Sequence, residues 1–429
     1  MDDLVNYDRT PLSQKYRTMN DIEARLFRQL EEHGDFDLTQ VERSWIEEYD
    51  YLLSLGYQLR PRFHPGWTPS WRGTDIPPVA CEDSVEHFRR SCIDAKRLKD
   101  GKIVAVKRIP PYTLEADIAC MLSTHERLRD RMNHCVPIYD CFLDTRNARG
   151  GFFIVMHLLR AFNEPPFAYV DEVVDFVRQT LEGLVYIHGH DVAHRDLSDG
   201  NIMMDGLAMY GKKGFHPSDQ DVRADDALKL AKPKTRRDVG SVRYYFTDFG
   251  LSSYFDDPDR RRLVTGNRAQ DREIPELSSI VPYDPFAVDI FTLGNVFKRN
   301  FLNNYSNLDF LSPLCSAMME RNPILRIRAP EALAMFQQSL RSHRRTALRW
   351  RLRPHQESRF ATIIGDFCSA AREVVYQIKL LISCFMLVMQ AFIPYILNTP
   401  ASVLRYDRQG LLVPPRRLFK NAEDEPLLG

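Results

Sequence analysis

The ten residues Val192-Ala193-His194-Arg195-Asp196-Leu197-Ser198-Asp199-Gly200-Asn201 constrain this chain more than any other stretch. They place a carboxylate, Asp196, and an amide, Asn201, on one short loop. Ahead of it Val170, Val174, Val177, Leu181, Leu184 and His188 step by four and three, which predicts a long amphipathic helix feeding that loop. Other strings flank it in order. Val104-Ala105-Val106-Lys107 lies upstream. Thr247-Asp248-Phe249-Gly250-Leu251, Ile274-Pro275-Glu276, Asp289-Ile290-Phe291-Thr292-Leu293-Gly294 and finally Arg326 lie downstream.

Phosphoryl transfer needs a carboxylate to take the substrate hydroxyl proton and side-chain oxygens to hold a metal. The ordered strings resemble the motif set of eukaryotic-type protein kinases. That resemblance implies an α+β, bilobal protein-kinase-like fold, with a small β-rich N-lobe, a helical C-lobe and, in this chain, a C-terminal hydrophobic helix. It implies ATP and Mg2+ as cofactors. Asp196 would be the catalytic base and Lys107 would grip the α- and β-phosphates. Asn201 and Asp248 would hold the metal. Glu115, followed by Ile118 and Leu122, matches the C-helix glutamate that pairs with the lysine. Only a short interval separates Glu115 from Lys107, so Glu126 is the alternative partner. Met156 would be the gatekeeper, with Leu158 and Leu159 on the hinge facing the adenine. Asp289 would tie down the catalytic loop, and Glu276 with Arg326 would lock the C-lobe. Arg195 would pair with a phosphate on Ser252, Ser253 or Thr265.

Two departures stand out. The stretch 86–94 ahead of Lys107 has no glycine, although glycines there let backbone amides approach the phosphates. ATP would then be held more loosely, or by Arg89 and Arg90. Ser198 stands where most Ser/Thr kinases have a lysine, and Ala269 where the family often has a threonine contacting that lysine and the base.

Around this domain, assigned to 56–345, the chain divides further. Residues 1–55 are expected to be a helical extension, with a helix from Asn20 or Asp21 to His33 and a second over 39–55. They read as a brace on the N-lobe, the alternative being a partner-binding pair. Residues 60–78 are proline-rich and expected to form an extended wrap. The strings 93–98 and 103–109 flank Asp100-Gly101 and predict a β-hairpin. A helix is expected over 114–128. Residues 202–247 separate Asn201 from Asp248, far more than the family has, so 206–240 reads as a surface insertion. Its Gly214-Phe215-His216-Pro217, with residues 56–63, resembles a branch of kinase-like proteins expanded in fungi.

Residues 346–373 are a basic linker, 374–404 a candidate transmembrane helix and 405–429 a tail. Residues 380–404 carry no charge, and 380–397 alone span ~27 Å as a helix, near the ~30 Å of a bilayer core. The alternative is a docked C-terminal helix. The basic upstream flank puts the kinase domain on the cytosolic side of an intracellular membrane. Lysine plus arginine (58) balance aspartate plus glutamate (58), so nothing argues for a nucleic-acid partner. The eight cysteines form no Cys-x-x-Cys pair and read as reduced thiols. The expected function is an ATP-dependent protein kinase acting on a protein substrate. A pseudokinase scaffold and a small-molecule kinase are the alternatives.

Overall fold

A computed structural model describes residues 18–146, 150–224, 226–240, 242–257, 263–343 and 345–398, with two short strands at 405–406 and 412–413. The chain divides into two units, Met1–Glu357 and Ser358–Gly429. The first is bilobal.

The smaller lobe begins with α1 (Asp21–His33), closed at its start by an Asn20–Glu23 capping box and at its end by Gly34 at φ 85°. The expected second helix is two: α2 (Gln40–Ile46) and α3 (Tyr49–Ser54). The break has a cause in the backbone acceptors. Arg108 Nη2 donates to Ser44 O and Arg146 Nη1 to Glu47 O at 3.4 Å, so both carbonyls have side-chain partners where the ladder would continue. Five antiparallel strands follow in the order β1-β2-β3-β5-β4: β1 (Tyr57–Gln58), β2 (Cys92–Arg97), β3 (Ile103–Ile109), β4 (Ile138–Leu143) and β5 (Phe152–His157). Alternation along β3 explains the layering. Val104 and Val106 face the cluster of Trp45, Tyr49, Leu52 and Phe63, whereas Ala105 and Ile109 face the larger core. The N-terminal helices thus cover the outer face of the sheet. Residues 60–87 are pinned there by a fully buried ion pair, Arg62 Nε to Glu42 Oε1 at 2.7 Å.

The helix after β3, α4 (Glu115–Leu122), is shorter than the expected 114–128. Asn133 Nδ2 takes the Leu122 carbonyl at 2.8 Å and the Arg127 carbonyl at 3.0 Å, and the chain leaves the helix at Ser123.

The larger lobe is built on β6 (Arg160–Ala161) and α5 (Val170–Gly189), whose Val173, Phe176, Val177, Leu181, Leu184 and Ile187 are buried. Then come β7 (Val192–Ala193), β8 (Ile202–Met204), α6 (Leu207–Tyr210), β9 (Val222–Arg223), β10 (Asp226–Leu230) and β11 (Tyr244–Phe246). After these lie β12 (Ser253–Tyr254), β13 (Val264–Gly266), β14 (Ser278–Tyr283) and α7 (Pro285–Phe297), followed by α8 (Ser312–Met318), α9 (Ala329–Arg341) and α10 (Arg345–Leu348).

The insertion between β8 and β11 is packed, with Met209, Tyr210, Phe215, His216 and Arg236 buried. It is held to both lobes. On the larger lobe Arg236 Nη2 donates to Phe162 O at 2.7 Å and Pro165 O at 2.8 Å, and Arg237 Nη2 to Asp171 Oδ2 at 2.7 Å. Toward the smaller lobe Ser218 Oγ accepts from Arg60 Nη2 at 2.7 Å and lies 3.1 Å from His87 Nδ1. His216 Nε2 lies 3.1 Å from Glu82 Oε1.

The second unit contains α11 (Arg359–Asn398) and an antiparallel pair, β15 (Arg405–Tyr406) with β16 (Leu412–Val413), numbered after β13 and β14 of the first unit. Among the described residues no helix is long and apolar enough to cross a membrane. The expected span over 374–404 is corrected accordingly. Its first part is the continuation of a helix that starts at Arg359 and carries Asp366, Arg372, Glu373 and Lys379. Residues 399–404, and the tail apart from its two short strands, lie outside the described residues.

Candidate functional site

Three charged groups meet between the lobes. Lys107, on β3, pairs with Glu115 on α4, and its Nζ lies 2.8 Å from Asp248 Oδ1. Glu115, and not Glu126, is therefore the lysine's partner. The pairing follows from local geometry: β3 turns Lys107 inward with Ala105 and Ile109, and Glu115 opens the helix that packs beneath. Burial works against the Lys107 ammonium, but Glu115 and Asp248 outweigh it and hold its pKa above the ordinary value. Burial raises Glu115, with Lys107 opposing. For Asp248 burial is outweighed by Lys107, and its pKa is lowered.

Asp196 and Asn201 form a second group. Asn201 Nδ2 donates to Asp196 O at 2.8 Å and to Asp196 Oδ2 at 2.9 Å. Gln270 donates twice more, from its backbone N to Oδ1 at 2.8 Å and from Nε2 to Oδ2 at 3.1 Å. Burial pushes the Asp196 carboxyl up, with the Gln270 and Asn201 donors opposing. The loop carrying Asp196 is held from below. Fully buried Asp289, on α7, accepts from His194 N at 2.8 Å and Arg195 N at 2.6 Å, and lies 2.9 Å from His188 Nε2. This anchors Arg195 at φ 68°, a conformation costing about 1–3 kcal/mol outside glycine. Asp248 sits at φ 63° and accepts from Gly250 N at 3.3 Å.

Met156, expected as the gatekeeper, and Leu158 and Leu159, expected on the hinge, are buried. Met156 pairs with Ala105 across β3 and β5. The Leu159 carbonyl accepts from Gln220 Nε2 of the insertion at 3.2 Å. Residues 86–91 fold back under His87, whose Nε2 lies 2.9 Å from Arg89 O and 2.8 Å from Cys92 O, while the Arg89 and Arg90 side chains are exposed. Arg195 reaches the segment after Asp248, donating to Ser253 Oγ at 3.2 Å and Thr265 O at 2.8 Å. Arg326 and Glu276 pair, with Nη2 3.1 Å from Oε2.

The metal question turns on Asn201 and Asp248. Asn201 uses its amide nitrogen on Asp196, which leaves its carbonyl oxygen for a cation, and Asp248 is about half exposed. Hard oxygen donors of this kind, few in number, suit Mg2+ held jointly with phosphates. Among the described residues no group of three or more His, Cys, Asp or Glu forms a site that would hold a metal by itself.

Sequence reasoning missed Gln270 and Gln220. Gln270 follows Ala269, the position that drew attention, and Gln220 sits in an insertion with no motif.

A model of the protein kinase domain matches residues 90–306. A light-sensor protein kinase of Ceratodon purpureus is 27% identical over 183 residues, covering 38% of this chain and 12% of that protein. The serine/threonine-protein kinase PLK4 of Drosophila persimilis is 27% identical over 214 residues, 47% of this chain and 22% of its own length. Cyclin-dependent kinase D-1 of Arabidopsis thaliana is 25% identical over 228 residues, 51% of this chain and 48% of its own. The chain spans less than half the length of each of these relatives. With a matched domain that takes in Lys107, Glu115, Asp196, Asn201, Asp248 and Asp289, the chain belongs to the eukaryotic protein kinase superfamily.

Proposed function

We propose that the protein is an ATP-dependent protein kinase, transferring the γ-phosphate of ATP to a hydroxyl of a protein substrate. The observation that carries this reading is the Lys107–Glu115–Asp248 contact formed over a catalytic loop in which Asp196 is held by hydrogen bonds. Bound Mg·ATP would supply the electrophilic phosphorus and the charge neutralisation. Lys107 would orient the phosphates, and the side-chain oxygens of Asn201 and Asp248 would hold the metal. Asp196 would take the proton of the substrate hydroxyl as the hydroxyl oxygen bonds to the γ-phosphorus, with the bond from that phosphorus to the departing ADP oxygen breaking. Met156, Leu158 and Leu159 are the apolar wall for the adenine. The name of the PLK4 relative supports serine or threonine as the acceptor. A glycine-free 86–94 stretch supports weak, strongly magnesium-dependent nucleotide binding.

The full-length protein with Mg·ATP, scored for transfer to itself and to generic protein substrates, tests the reading. Asp196→Asn, Lys107→Met and Asp248→Ala should each lower transfer by on the order of three decades. A second reading, a pseudokinase scaffold, is favoured by Ser198, a buried hydroxyl at the catalytic loop with no hydrogen-bond partner among the described residues. Nucleotide binding by the wild type without transfer to any protein would establish that alternative.

A further inference from the structure

The catalytic carboxylate is held by more than its own loop. Asp196 is buried, and an ionised carboxylate offers about four acceptor sites, two on each oxygen. Oδ2 receives Asn201 Nδ2 and Gln270 Nε2, which fills it. Oδ1 receives the Gln270 backbone N–H at 2.8 Å, leaving one site open. The neighbours that could have shared this work do not. Ser198 Oγ has no hydrogen-bond partner among the described residues, and Ala269 carries no polar side chain. Gln270 itself is exposed, so its side chain contributes little to the core, and its amide also lies against Gly200 of the catalytic loop.

We propose that Gln270 is the positioning residue of the catalytic carboxylate, fixing Asp196 through both its backbone N–H and its side-chain amide so that Oδ1 faces the substrate hydroxyl. The assignment rests on the kinase reading for its catalytic meaning and on the two hydrogen bonds for its physical content. It names Oδ1 as the oxygen that takes the proton, because Oδ2 has no site left. It also couples base and substrate segment: Gln270 lies between Asp248 and Glu276, so any shift of that segment moves the base with it. A long exposed side chain loses rotamer freedom when held in one place, so holding it requires a partner of this strength.

The test is a set of three substitutions in the full-length protein. Gln270→Ala keeps the backbone donor and removes the side-chain one. A hydrogen bond to a charged group governs about a ten- to hundredfold factor, so kcat should fall by that amount while the KM for Mg·ATP stays within about twofold. Gln270→Glu has the same size but puts a carboxylate against Asp196, and should fall at least as far. Gln270→Lys restores a donor and should recover most of the rate. A merely structural role at an exposed position would not separate glutamate from lysine. The three variants matching one another, or all matching wild type, overturns the proposal.

A second measurement needs no transfer. In urea unfolding of Asp196→Ala, Gln270→Ala and the double variant, the pair should be coupled by about tenfold in the unfolding equilibrium. Coupling in a protein that transfers no phosphate would retain Gln270 as the partner of Asp196 and remove the kinase reading. Additive unfolding effects in an active protein would remove the Gln270 proposal alone.

Discussion

Ser218→Ala is the mildest cut that should loosen the insertion from the smaller lobe. Ser218 Oγ accepts from Arg60 Nη2 at 2.7 Å and lies 3.1 Å from His87 Nδ1. A hydrogen bond to a charged group contributes about 1.5–3 kcal/mol. Arg60 keeps Glu82 Oε1 at 3.1 Å and Val85 O at 3.3 Å, so its guanidinium is not stranded after the change. The lower half of the range therefore applies, about 1.5–2 kcal/mol. At about 1.4 kcal/mol per tenfold, local opening of 214–222 should become ten- to thirtyfold more frequent. Hydrogen exchange followed by mass spectrometry reads this directly. Peptides across 214–222 should exchange faster by that factor, while peptides across α5 and α7 keep their protection. Unchanged exchange over 214–222 would refute the reasoning. An equal acceleration in α5 would do so as well, since the loss would then be global.

Two further predictions concern the same region. Burial opposes ionisation of Glu82, but His216 and Arg60 outweigh it and lower its pKa to about 2. A lowered carboxylate stabilises the fold above its unfolded value of ~4.3, and that contribution is lost as pH falls toward about 2. Glu82→Gln should flatten this part of the acid-unfolding curve, and superimposable curves between pH 5 and 2 would contradict the assignment. Arg62→Ala leaves Glu42 charged at a site where both side chains are fully buried, and should cost about 3–5 kcal/mol in urea unfolding. Replacing both, as Glu42→Leu with Arg62→Met, should recover most of it, and a loss below ~1 kcal/mol for Arg62→Ala would show that the pair is not desolvated.

Much of the site lies where short motifs have a strong local signal. Lys107 follows a run of alternating strand residues, Glu115 opens a helix, and Asp196 lies just beyond a helix with regular apolar spacing. These signals are carried by neighbours in sequence. What the sequence hid depends on partners far away in the chain. The break at Glu47 follows from Arg108 and Arg146, and the end of α4 at Ser123 from Asn133. The packing of 206–240 depends on Arg160, Arg236 and Arg237, whose aromatic, carbonyl and carboxylate partners no local pattern announces. Gln270 was invisible for another reason: half of its contribution is a backbone N–H, which any residue but proline supplies. The apolar run after Lys379 continues a helix that begins at Arg359 among charged residues, which no local pattern in the run itself announces.

The Asp289 anchor also sets a schedule. The backbone it holds at Arg195 comes 94 residues earlier in the chain. A ribosome adding about 5–20 residues per second makes Asp289 roughly 5–20 s after Arg195. During that interval the catalytic loop lacks the carboxylate that accepts its two backbone N–H groups and holds Arg195 at positive φ. The nascent chain thus already contains Lys107, Glu115, Asp196, Asn201 and, later, Asp248, yet cannot arrange them for chemistry. On the kinase reading proposed above, the unfinished chain would stay inert until α7 has left the ribosome and packed.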